Sequence, residues 1–165
     1  MIGVLASIRP DSWNFPLFVH VLGAMVLVGA VTASVVAQLA PGIGSVDGDR
    51  MRRFSFRTLL LAALPAYIVM RIGAEWMYSK EFDSSSDDPT WIGIGYITAD
   101  LGALLLLIAL ITGGIAAWKS KNRLGQASGV VAAIALAGWI VAVWAMSGLF
   151  GGLSTHRRRR SSECA

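Results

Sequence analysis

Apolar positions fall into four long runs separated by short polar stretches, at about 15–40, 57–78, 91–118 and 127–150. A run of about 20 predominantly apolar residues is the length a helix needs to cross a hydrocarbon core of roughly 30 Å. The polar punctuation suits helix ends. Asn14 is a good N-cap with Pro16 in the first turn, and Asp88-Pro89 offers the same start to the third run. Pro41-Gly42 and Gly151-Gly152 close the first and fourth runs. Four spans with three short connections predict an all-α, membrane-spanning, up-down four-helix bundle over residues 15–150. No internal repeat points to a duplicated transporter fold.

The runs differ in quality. The second, RTLLLAALPAYIVMRIGAEWMY, has an uninterrupted apolar core only from Thr58 to Met70. Pro65 removes a backbone donor inside it and predicts a kink. Arg71 and Glu75 follow within the same run. Small residues recur at helical spacing on the others: Ala30, Ala33, Ser34 and Ala37 on the first, and Gly95, Ala99, Ala103, Ala109, Gly113 and Ala117 on the third. Gly138 and Ala142 do the same on the fourth. Such stripes let helices approach closely. Residues 1–14 are too short to span and read as an interfacial segment with Trp13 at headgroup level. Residues 151–165 read as a basic disordered tail. Residues 42–56 and the stretch KSKNRLGQ read as polar loops, and 79–90 as an acidic solvent loop; a cation site in that acidic run is the lesser reading.

Composition agrees with this pattern. Of 165 residues, 55% are hydrophobic and only 15% charged, with a mean hydropathy of +0.63, which argues against a soluble domain. The net charge of +4 comes from basic loops and the Arg157–Arg160 tail. In a membrane chain such charge suggests topology and anionic headgroups, and no nucleic-acid partner is expected. The single cysteine, Cys164, rules out an intrachain disulfide and a Cys-based metal site. The first run, at about 24 residues, exceeds the roughly 7–15 of a signal-peptide core, so it reads as a span rather than a leader. Arg50, Arg52, Arg53 and Arg57 share one side with Lys119, Lys121 and Arg123. Placing loops 41–56 and 119–126 in the cytoplasm puts both termini outside, against which only the four-arginine tail counts.

Threading the spans yields candidate chemistry. His20 lies roughly 7 Å from its helix start, Arg71 roughly 10 Å from its helix end, Glu75 roughly 5 Å, and Asp100 roughly 12 Å from its start, all in one half of the bilayer. Tyr67, Arg71 and Glu75 share a helix face, as do Tyr96 and Asp100. Ionisable groups at such depth are costly and tend to face partners, so an Arg71–Asp100 ion pair is expected, with Glu75 and His20 nearby. Two readings stand for this layer: a structural pair fixing helix register, or part of a functional site. Glu75 has the further option of snorkelling to the interface. His20 is either a hydrogen-bonded core residue or a ligand. With Glu75 and Asp100 it forms an N/O donor set for zinc or copper, though no HxxxH, ExxH or CxxC spacing accompanies it. For haem, Met25 or Met70 would be the second axial ligand, or else another subunit's histidine. Trp13, Trp76 and Trp91 at one interface and Trp118 at the other read as an aromatic belt. No GxSxG, Walker or GxGxxG motif is present.

The segment FVHVLGAMVLVGAVTASVVA, with His20, Leu22-Gly23-Ala24 and Gly29, resembles the first helix of a set of uncharacterised bacterial four-helix membrane proteins. These are similar to the membrane domain of copper-resistance D proteins. The resemblance implies a bacterial inner-membrane bundle and allows copper handling or haem b. Three functions fit these residues. The first is a non-enzymatic accessory subunit, packing against itself or a larger complex. The second is a haem- or copper-handling redox protein using His20, and the third a proton or small-solute pathway lined by Arg71, Glu75, Asp100 and Tyr67.

Overall fold

The structure, a computed structural model, describes residues 14–39, 47–81 and 90–146, and all regular structure among them is helical. Helix α1 is Asn14–Leu39, α2 is Asp47–Thr58, α3 is Leu64–Glu81, α4 is Thr90–Lys119 and α5 is Asn122–Met146. A widened π-type turn, Leu59–Ala63, joins α2 to α3 without a break. Four stretches are long and apolar enough to cross a membrane: Asn14–Leu39, Gly48–Ser79, Gly95–Lys119 and Arg123–Trp144. The chain thus has the make-up of a multi-pass membrane protein with four helical spans.

Two expected loops are largely helical. Residues 47–56 belong to α2, not to a connection. After Gly48 nothing there breaks a helix, and Arg52 pairs with Asp49 one turn earlier. The expected loop over 119–126 shrinks to Ser120 and Lys121, with Ser120 turned into the left-handed region at φ 50° and α5 beginning at Asn122. A polar residue need not leave a helix when one face meets water. The interfacial segment 1–13, Pro41-Gly42, the acidic stretch 82–89 with Asp88-Pro89, and residues 147–165 with the tail and Cys164 lie outside the described residues.

Pro65 acts otherwise than a simple kink. The Leu64 N–H reaches back five residues to the Leu59 carbonyl, opening the turn just ahead of the proline. A proline clashes with the carbonyl four residues before it and cannot donate to it. Widening that turn moves the carbonyl aside and lets the rod continue.

Glycines set the closest approaches. A methyl group on Gly23 would lie 2.7 Å from the Met70 nitrogen, and one on Gly73 would lie 2.7 Å from the His20 nitrogen. The α1 and α3 backbones therefore touch at one crossing, each contributing a glycine opposite the other's main chain. On α4, Gly102 leaves the place that the Trp139 indole fills. Contacts pair His20 with Gly73 and Ser34 with Ser55, then Phe56 with Gly114 and Tyr67 with Ala99, then Gly102 with Trp139 and Gly113 with Ser128. In each pair of consecutive rods, rising numbers on one meet falling numbers on the other, so the two run in opposite directions. Leu27, Val31, Leu59, Ala63, Leu106 and Ala132 form the buried apolar centre. Of the expected small-residue stripes, Ala30, Ser34, Ala37, Ala109, Gly113 and Ala117 turn inward, whereas Ala33 is exposed.

Candidate functional site

Arg71 sits at the middle of the expected polar layer. Its Nε lies 3.3 Å from Glu75 Oε1 and its Nη2 lies 3.3 Å from Asp100 Oδ1. Its guanidinium carbon stacks 4.5 Å over the Tyr96 ring, and the Tyr96 hydroxyl donates to Glu75 Oε2 at 3.0 Å. Helix spacing explains the arrangement. Arg71 and Glu75 are one turn apart on α3, Tyr96 and Asp100 one turn apart on α4, and the two faces meet across a seam. Tyr67, one turn further in, donates to the Ala99 carbonyl at 3.3 Å and stacks on Trp139 of α5. Tyr78 adds an edge-on contact with Tyr96.

The layer faces outward more than inward. Arg71 is only 26% exposed, but Glu75 is 51% and Asp100 65% exposed. Around Asp100 on the same helix, Ile97, Leu101 and Leu104 are exposed too, so a carboxylate interrupts an otherwise apolar surface. The seam itself is splayed. α2 lies close against α4, with the Phe56 ring on Gly114, whereas α3 reaches α4 mainly through the long side chains named above.

His20 is not part of this group. Its Nδ1 lies 2.9 Å from the Met70 carbonyl oxygen, at the glycine crossing between α1 and α3. A carbonyl can only accept, so the ring donates from Nδ1 and, when neutral, keeps Nε2 as its acceptor. The metal set of His20, Glu75 and Asp100 is not assembled: among the described residues no three His, Cys, Asp or Glu side chains come together. Two carboxylates turned to the α3–α4 seam and a histidine tied to α3's main chain from α1 cannot share an ion. A haem held within one chain fits no better. Met70 stands against His20 where the two backbones touch, leaving no slot for a porphyrin. Met25, five residues on along α1, points to a different side and is exposed.

A second polar cluster, absent from the sequence reading, lies towards the opposite end of the bundle. Ser34, Ser55 and Ser128 are each fully buried. The Gln38 amide Nε2 is within reach of all three hydroxyls, at 3.4, 2.5 and 3.3 Å. Ser34 and Ser55 hydroxyls are 2.5 Å apart, and Ser128 donates to the Ala109 carbonyl at 2.7 Å. Gly113, Gly125 and Gly129 make room, since a methyl at each would press on Ser128, Arg52 or Gln38. Gln38 Oε1 is buried with no hydrogen-bond partner among the described residues, as is Trp139 Nε1. The only sequence signal was Ser34 and Gln38 one turn apart in an apolar run; their partners come from two other helices.

No protein-family model, curated protein or solved structure matches this chain. The motif behind the α1 resemblance does have a local structural meaning. Gly23 serves the helix crossing, while Gly29 faces open space.

Proposed function

We propose that the chain is a non-enzymatic accessory subunit of a larger membrane complex, in a bacterial inner membrane with both termini outside. The reading rests on one observation above all: Asp100, 65% exposed, stands on an exposed apolar surface between Ile97 and Leu104, within a span. An acidic side chain facing hydrocarbon within a span is costly, so such groups face a partner or water. Arg71 meets only part of that need. A neighbouring subunit on the α3–α4 seam would remove the rest from lipid. The proposed orientation draws on Arg50, Arg53, Arg57, Lys119, Lys121 and Arg123, all exposed at one end of the bundle, which is the cytoplasmic signature. The antiparallel registers support the up-down order.

A proton or solute pathway is the less favoured reading. Trp139 closes the layer on its inner side, and the apolar centre separates it from the serine cluster. Solubilisation in a mild detergent followed by native electrophoresis tests the accessory role. A stable assembly containing other membrane chains is expected. Migration as an isolated 17.5 kDa chain, with native-membrane cross-linking equally empty, would sink the reading.

A further inference from the structure

The outward charges of the α3–α4 seam specify what kind of partner fits it. Arg71 is the innermost charge, and it is satisfied on three sides: Glu75, Asp100 and the face of Tyr96. The two carboxylates lie outside it, each at least half exposed. Two carboxylates stand against one guanidinium, so the seam presents an excess of acidic groups to whatever covers it. The surrounding surface is apolar on both helices, with Ile68 and Ile72 exposed on α3 and Ile97, Leu101 and Leu104 on α4. A covering element must therefore be apolar along its length and carry a positive charge at one depth.

We infer that the α3–α4 seam docks a transmembrane helix of a different membrane protein, with a lysine or arginine of that helix placed against Asp100 and Glu75. This rests on the accessory-subunit reading and adds the partner's chemistry to it. A second copy of this chain fits poorly. Two such seams face to face would bring four carboxylates against two arginines, and like charges juxtaposed across an interface disfavour pairing. The splay of the seam favours a helix as occupant, because long side chains rather than backbones now bridge it.

A photo-reactive amino acid placed at Ile97 or Leu104 of the full chain, irradiated in its native membrane, tests the inference. The expected result is an adduct to another membrane chain whose cross-linked helix bears a lysine or arginine at the depth of Asp100. Combining the probe with Glu75→Gln and Asp100→Asn is expected to lower that adduct by about 10-fold or more, as loss of a close charge pair does. A partner helix without a basic residue, or an adduct insensitive to the double variant, overturns the cationic partner and leaves the accessory reading standing. Adducts to a second copy of this chain also overturn it. Adducts to lipid alone overturn both. Should the double variant fail to fold, the wild-type chain in vesicles is titrated with two Leu/Ala transmembrane peptides, one carrying a single arginine and the other a glutamine. Energy transfer is expected to report about 10-fold tighter association for the arginine peptide, and equal association overturns the inference.

Discussion

The bundle carries two polar layers, and they are built on opposite plans. Near one end, Ser34, Ser55 and Ser128 are sealed from solvent and gathered around one glutamine amide drawn from a fourth position, Gln38. These groups are uncharged and come from α1, α2 and α5. Near the other end, Arg71, Glu75, Asp100 and Tyr96 belong to two helices only, carry full charges and turn their carboxylates outward. Neutral hydrogen bonds inside a low-dielectric interior are strong and, once one partner is lost, leave the other stranded. Ion pairs turned towards lipid carry a desolvation cost that offsets most of what the pairing returns, so they contribute little to folding. The serine layer should hold the bundle together, and the ion layer should matter chiefly when something else is present.

The contrast is broken most severely by a change that touches neither layer. Gly23→Leu at the α1–α3 crossing forces side-chain atoms into the Met70 main chain, where no flexible group can yield. A loss at or above the upper end of about 1–3 kcal/mol is expected, with reduced monodisperse yield in detergent, although every charge is retained. Ser128→Val comes next. It removes a donor to Ala109 and strands part of the Gln38 amide, so about 1–3 kcal/mol should be lost in an unfolding titration in bicelles.

Much of this is legible in the sequence, and what is not has identifiable physical causes. Four apolar runs announce four spans because a hydrocarbon core dictates both their length and their composition. The Arg71–Asp100 pairing was legible from depth alone, since two charges at one level of a membrane have few alternatives to meeting. The outward tilt of the pair was not, because helix rotation depends on which small residues the neighbours supply. The polarity of residues 47–56 suggests a loop, whereas a helix emerging into water keeps its shape with an exposed basic face. Depth groups His20 with the carboxylates, yet depth says nothing of azimuth, and the glycine at position 73 draws it to the main chain of α3 instead. The serine cluster is not legible in the sequence because one hydroxyl in an apolar run carries no signal; only the fold brings three together.

At the ion layer smaller effects are expected. Asp100→Asn should change unfolding free energy by under about 1 kcal/mol, since Arg71 retains Glu75 and the lost pairing is offset by removing a carboxylate's cost of facing lipid. Its consequence should appear instead as loss of partner chains from the mild-detergent complex. Tyr96→Phe should do least, about 0.5 kcal/mol, because it removes one hydrogen bond to a half-exposed carboxylate and keeps the ring beneath Arg71. A thermal melt in detergent is sensitive enough to rank it against Asp100→Asn.

The most direct test of the two plans is the unfolding free energy in bicelles of one variant from each layer, compared with wild type. Ser55→Val with Ser128→Val is expected to lose about 2 kcal/mol or more, and Asp100→Asn, which leaves Arg71 its Glu75 partner, to stay within about 1 kcal/mol. The reverse order, with the charged layer the more costly to neutralise, would contradict an ion layer that serves a partner rather than the fold.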